Sequence, residues 1–218
     1  MASSGTYAFS PDVQDFIDEA FERCGIDPAT LSDRHIRSAR RSMNLMFSQW
    51  AANGVNLFAV DLQTETTVES QANYTAATGT IAILEVVVRR DSVDVPVHLI
   101  DRETYEYIPN KTNEGLPTQL FYNRIANEFF LWNTPENSTD SIRYWRLRRI
   151  QDVTAGLETP DITYEWMEAL AAGLAEFLAL KYAVDRYIDL KADAAGKFKM
   201  ADDFNRERVD TNFMLPNG

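Results

Sequence analysis

Residues 162–190 read as one long helix that is apolar almost all the way round between Tyr164 and Val184. Such a helix has no face to give to solvent, so it must be covered on more than one side. Met167, Leu170, Leu174, Phe177 and Leu178 gather on one side. Ala172, Ala175, Ala179 and Ala183 recur on another, at spacings of three or four that let a second helix approach closely. Two packing partners are therefore expected, and the rest of the chain must supply elements able to cover this segment.

Two amphipathic helices near the N-terminus are the natural suppliers. Ser10 as cap and Pro11 at the first helical position open the first, with an apolar stripe of Val13, Phe16, Ile17, Ala20, Phe21 and Cys24 ahead of Gly25. Its other face carries Asp12, Asp15, Asp18, Glu19 and Glu22. Ser32 caps the second, which runs to about Asn53 with Gly54 as its stop. At about 100° per residue, Ile36, Ala39, Met43, Met46, Phe47 and Trp50 fall on one side of it and Arg34, Arg37 and Arg41 on the opposite side. A last helix is expected over 192–209, with Ala194, Phe198, Ala201 and Phe204 on one stripe, followed by a non-helical tail that carries Phe213, Met214 and Leu215.

Between the helical ends, residues 55–150 change to short β-branched and aromatic runs broken by turn clusters. Strands are expected over 57–62, 66–70, 81–90, 97–100, 118–125, 128–133 and 141–150, with a hairpin at Ala126-Asn127 and a short helix over 102–108. In the last of these runs neither alternating face is purely apolar, which predicts a peripheral or interface-facing strand. The fold class is α+β: a helical bundle from both termini supporting a mostly antiparallel β-rich middle. The expected divisions are 1–54, 55–150, 151–210 and an extended tail, 211–218.

The same residues exclude much chemistry. There are 33 acids against 21 Lys and Arg, a net charge of −12, so the chain repels polyanions at long range. Cys24 is alone, and His35 and His98 lie far apart, with no spacing typical of a zinc site. A reducing compartment fits, and the start of the chain has no basic region followed by an apolar run that would mark a secretory signal. Asn-x-Ser/Thr triplets at Asn73, Asn110 and Asn137 are then chance matches. Gly196-Lys197 lacks the rest of a phosphate loop, and Asp202-Asp203 lacks the alternating ligands of a calcium loop. No catalytic residue, cofactor or metal is expected. Core packing accounts for Trp50, Trp132, Trp145 and Trp166, and any that is exposed marks an interface.

Two charged faces remain. A helix–loop–helix with Arg34, Arg37 and Arg41 is compatible with a DNA reader, but residues 1–31 carry six acids against Arg23, which opposes phosphate. The bland alternative is a solvated basic face. The third reading pairs the acids of one copy, Asp15, Glu19 and Glu22, with the arginines of another. Such a contact is head-to-tail, and a head-to-tail contact that closes produces a ring.

The stretch 13–61 resembles the opening of phage head-to-tail adaptors, also called tail accessory factors, head-completion or packaged-DNA stabilisation proteins. The residues that carry the likeness are Gly25-Ile26 and Leu31-Ser32 between paired helices, Met43-Asn44-Leu45-Met46, Trp50, and Gly54-Val55-Asn56-Leu57-Phe58 at the exit. The later order is similar to larger members: a β-rich middle with Gly115-Leu116-Pro117, a hairpin ending Phe129-Phe130-Leu131-Trp132, and a long Ala/Leu-rich helix. The resemblance implies a structural virion protein of tailed, here short-tailed, phages, assembled in the host cytoplasm and placed at the head–tail junction. It implies a ring, commonly of twelve copies, that binds the portal, extends the DNA channel, retains packaged DNA without sequence-specific binding and docks tail, nozzle or fibre proteins, with no membrane involved. Subunit contacts are expected at Arg34, Arg37, Arg41, Asp15, Glu19, Glu22, Ala172, Ala175, Ala179 and Ala183, and portal contacts at Phe213, Met214 and Leu215. A virion-associated peptidoglycan hydrolase using paired carboxylates and a helix–turn–helix regulator stay as alternatives of other classes.

Overall fold

A computed structural model describes residues 5–7, 9–53 and 59–205. The exit run Gly54-Val55-Asn56-Leu57-Phe58, the expected end of the last helix beyond Asn205, and Phe213, Met214 and Leu215 lie outside the described residues. The chain divides into two compact units, Met1–Leu57 with Ile150–Gly218, and Phe58–Arg149. The architecture is α+β, with helices at both ends of the chain and a sheet-forming middle.

In the first unit, α1 (Val13–Arg23) buries Val13, Phe16, Ile17, Ala20 and Phe21, the stripe its periodicity demands. Its cap is Asp12, not Ser10. The Asp12 carboxylate accepts from the Asp15 amide and the Asp15 carboxylate from the Asp12 amide, a reciprocal box that satisfies two amides a Ser-Pro start would leave open. The helix ends where expected. Gly25 adopts φ +79°, the Ile26 amide reaches the Phe21 carbonyl, and the Gly25 amide reaches Glu22. α2 (Asp33–Asn53) starts after Ser32, whose hydroxyl lies 2.9 Å from His35 Nδ1 and whose carbonyl accepts from the His35 and Ile36 amides.

The long helix expected over 162–190 is two helices. A 3-10 turn at Tyr164–Trp166 leads into α4 (Met167–Tyr182), the chain breaks at Ala183 (φ −147°, ψ 58°), and α5 (Tyr187–Asn205) follows another 3-10 turn. No glycine or proline marks this break. It is set by packing, because α5 folds back along α4 and buries Leu190, Ala194 and Ala201. α4 thus has three helical neighbours, α1, α2 and α5, rather than two. Trp50 of α2, Trp166 and Phe198 of α5 meet with ring centroids 5.1–5.6 Å apart, and Gly173 faces Met46 and Trp50 so closely that a Cβ there would fall 2.6 Å from Met46 Sδ.

The second unit holds β1 (Val60–Thr66), β2 (Asn73–Thr75), β3 (Thr80–Arg90), β4 (Val93–Pro96), β5 (His98–Ile100), α3 (Arg102–Glu106), β6 (Glu114–Gly115), β7 (Gln119–Asn123), β8 (Glu128–Trp132), β9 (Thr134–Pro135) and β10 (Ser141–Arg148). One sheet runs β1-β10-β3-β4, all antiparallel; a second runs β2-β8-β7-β5, with only β5–β7 parallel; β6 and β9 form a small parallel pair. Side chains from both four-stranded sheets share one core that includes Val86, Val88, Leu120, Phe129, Leu131, Ile142 and Tyr144.

Several local expectations change. Residues 66–70 do not form a strand of their own: Thr66 ends β1, the Thr67 hydroxyl turns to the Asn137 and Asp140 carbonyls, and Ser70 takes φ +61°. The β7–β8 hairpin turns through four residues, Arg124–Asn127, with Asn127 at φ +55°. The β3–β4 hairpin turns on Asp91-Ser92, both at positive φ, as a tight two-residue turn requires. β10 is not peripheral but lies between β1 and β3. A register shift after Trp145 lets Arg146 and Leu147 both turn inward, so its mixed alternation is compatible with a central place.

Candidate functional site

Every expected contact residue within the described part of the chain belongs to the helical unit. The outer face of α2 exposes Arg34, Arg37, Arg41 and then Leu45, while Ala39, Met43, Met46, Phe47 and Trp50 are buried on the other side. Among the described residues, no ion pair involves those three arginines. Asp15 and Glu22 are exposed on α1, and Glu19 is half-buried there. The structure therefore keeps the basic and acidic stripes apart within one subunit.

The alanine stripe requires a correction. Ala172, Ala175 and Ala179 have no accessible surface, and Ala183 is 6% exposed at the α4–α5 break. Their smallness is used inside the chain: the Cys24 thiol lies 3.5 Å from the Ala175 carbonyl, a distance that a larger neighbour on α4 would oppose. They offer no surface to another copy.

Sequence reasoning gave Arg23 no role beyond its charge, and it proves to be the electrostatic centre of the bundle. Arg23 Nε donates to Glu19 at 2.7 Å, its terminal nitrogen reaches both Glu168 oxygens at 3.1 and 3.2 Å, and Asp193 lies 3.8 Å away. Lys197 adds a contact to Glu168 at 3.3 Å, so charges of α1, α4 and α5 form one network. Burial works to raise the Glu168 pKa, but the hydrogen bonds and charges of Arg23 and Lys197 together outweigh it and hold the carboxyl below its ordinary range. Beside this network lies an open groove of about 610 Å³ between α1 and α4. Phe9, Pro11, Phe16, Met167 and Ala171 give it an apolar lining, and Asp15, Glu19, Arg23 and Glu168 give it a charged rim. The signal for Arg23 in the sequence is its i,i+4 spacing from Glu19; nothing local points to Glu168.

The segment that returns from the second unit is fastened onto this bundle. The amides of Val13 and Gln14, which α1 cannot satisfy itself, donate to the carbonyls of Glu158 and Gly156. Asn44 reads the Val153 peptide from both sides at 2.9 and 3.1 Å, and Arg40 donates to Thr154 at 2.6 Å. The Glu158 carboxylate accepts from the Thr154 hydroxyl and from the Ala155 and Thr154 amides, which lowers its pKa to about 2.

The potential nucleophiles and ligands do structural work. Burial pushes the Cys24 thiol up, away from the reactive thiolate. His35 sits against Tyr182 and Phe21, with centroids at 5.1 and 6.1 Å. Among the described residues, no cluster of three or more His, Cys, Asp or Glu side chains could hold a metal, and no helix is long and apolar enough to cross a membrane. Trp50 and Trp166 are core residues, and Trp132 is half-buried with its Nε1 donating to Asn110. Trp145 is 43% exposed on β10, opposite Leu62 and Glu85.

Paired N-terminal helices, a sheet-forming middle and a returning Ala/Leu-rich helix are the order on which the likeness to head-to-tail adaptors rested, and the family comparison agrees: residues 11–216 match the SU10 adaptor protein family. The chain belongs to that family. No curated protein matches it. The adaptor is thus a phage structural protein of the head–tail junction, a role in which it interacts with portal and tail proteins. What the geometry has to explain is attachment.

Proposed function

We propose that the adaptor assembles with copies of itself into a ring, commonly of twelve, that adds to the portal after packaging, extends the DNA channel, retains the packaged DNA and offers a platform for tail components. The observation that carries this reading is the separation of charge within the helical unit. Arg34, Arg37 and Arg41 of α2 are exposed without ion-pair partners among the described residues, and the acids of α1 lie on a different helix of the same unit. A surface of this kind is satisfied by a neighbour in a head-to-tail contact, and a head-to-tail contact whose rotation closes produces a ring. The subunit contact therefore uses Arg34, Arg37 and Arg41 against Asp15, Glu19 and Glu22. The net charge of −12 supports the channel role, since an acidic wall leaves few phosphate contacts to break when DNA slides past.

The tail residues Phe213, Met214 and Leu215 are assigned to the portal, where apolar side chains gain by being buried. Mass measurement of the purified adaptor mixed with purified portal tests the scheme. Many copies on each portal ring are expected, fewer after deletion of residues 211–218. A single copy per ring, or none, overturns the ring; unchanged binding after the deletion overturns the tail assignment alone.

A further inference from the structure

The two charged stripes share a spacing. Along α1, Asp15, Glu19 and Glu22 are separated by four and then three residues; along α2, read backwards, Arg41, Arg37 and Arg34 are separated by four and then three. Each set spans about 10 Å at ~1.5 Å per residue and keeps to one side of its helix. An antiparallel alignment matches every charge in register, whereas a parallel one leaves Glu19 and Arg37 offset by one residue, about 1.5 Å along the axis. Four residues beyond Arg41 in that alignment comes Leu45, 58% exposed, and four residues before Asp15 comes Pro11, at the end of the α1–α4 groove where Phe9 is 69% exposed. Charge register and apolar register therefore coincide without adjustment.

We propose that the outer ridge of α2 in one copy lies antiparallel to α1 of a second copy, with Arg41 facing Asp15, Arg37 facing Glu19, Arg34 facing Glu22, and Leu45 entering the groove beside Phe9 and Pro11. This inference rests on the ring reading and specifies its contact. The ridge and the groove belong to different elements, so each copy offers both and the contact propagates from copy to copy. The three acids of the groove rim outnumber Arg23, so the rim keeps a negative excess for the incoming guanidinium groups. Leu45 supplies the apolar anchor that charges alone lack.

Disulfide trapping in the full chain tests the register. Phe9 and Leu45 are both exposed, and Cys24 is buried, so neither substitution disturbs the core and the native thiol does not compete. The double variant Phe9→Cys/Leu45→Cys, assembled on purified portal and mildly oxidised, is expected to give a ladder of covalent dimers, trimers and larger species. Phe9→Cys/Arg34→Cys, whose second position lies about 17 Å along α2 from Leu45 at ~1.5 Å per residue, is expected to give none. Arg37→Glu with Arg41→Glu is expected to weaken assembly by about tenfold or more while leaving the unfolding midpoint unchanged. Assembly confirmed by mass without a ladder from the first pair, or a ladder from the second pair, overturns the docking and leaves the ring standing. A parent chain that fails to assemble overturns both.

Discussion

Each unit of the adaptor contains an arginine that binds several partners, and the two are built differently. Arg146 in the sheet unit is 7% exposed; it meets both oxygens of Asp61 at 2.7 and 3.2 Å and spends its remaining donors on the Ala77 and Thr78 carbonyls and the Thr80 hydroxyl. Arg90, itself 31% exposed, lies between the two: it pairs with the buried Asp140 and with the half-exposed Glu136. Arg23 in the helical unit is about a fifth exposed and spreads across three carboxylates that are each roughly half exposed. A buried charge is tolerable only when every donor is matched, so Arg146 fixes one strand register. A partly wet network tolerates rearrangement, which suits helices whose outer faces receive a neighbour. The apolar parts differ in the same sense: the sheet unit interlocks β-branched and aromatic side chains from two faces, whereas the helical unit closes over alanines and hangs on three aromatic rings.

The contrast breaks most visibly at Trp166. Removing this fully buried ring by Trp166→Ala is expected to cost the helical unit about 3–5 kcal/mol. Amide hydrogen exchange should show lost protection in α2, α4 and α5 with β3, β7 and β10 unchanged; equal loss in both units would deny that they are energetically separate. The paired substitutions Arg146→Met and Arg23→Met sharpen it further. The first takes the guanidinium from Asp61, which keeps Gln63 and Arg148, and from the Ala77 and Thr78 carbonyls, of which Ala77 keeps its Thr80 donors, and should cost about 2 kcal/mol. The second removes only partly solvated pairs and should cost at most ~1 kcal/mol. Denaturant unfolding measures both, and a reversed order would sink the distinction drawn between the two arginines.

The smallest effect is expected at Glu158. Its pKa in the fold, about 2, lies below the ordinary carboxylate value, so its contribution is complete above that ordinary value, about 4.3, and is lost as pH falls through about 2. Thermal midpoints of the helical unit measured from pH 5 to pH 2 should fall less steeply in Glu158→Gln, which has no charge to lose. Asp61 is lowered too, chiefly by its hydrogen bond from Arg146, so the sheet unit should also lose stability in acid. Identical pH slopes for Glu158→Gln and the parent would remove the acid dependence assigned to Glu158.

Much of this was legible in the residues because it depends on short-range pattern. The apolar stripe of α1, the Gly25 stop, the basic back of α2 and the strand-rich middle all follow from periodicities of 3.6 and 2 and from turn chemistry. So did the residues that carried the family likeness. The alanine stripe shows where that logic ends: spacing revealed a close approach but not whether the approaching helix belonged to the same chain. Arg23 shows it again, since Glu19 lies one turn away whereas Glu168 is 145 residues distant.

By itself the sequence determined which segments are helical, which are extended, and which faces must be covered, because each follows from backbone sterics and the hydrophobicity of near neighbours. Only the tertiary structure decided that the last long helix breaks at Ala183, that β10 is central, and that the alanines are spent within the subunit. These are choices among partners that local patterns leave equivalent. They are settled by which arrangement buries the most apolar surface while giving most buried polar groups a partner.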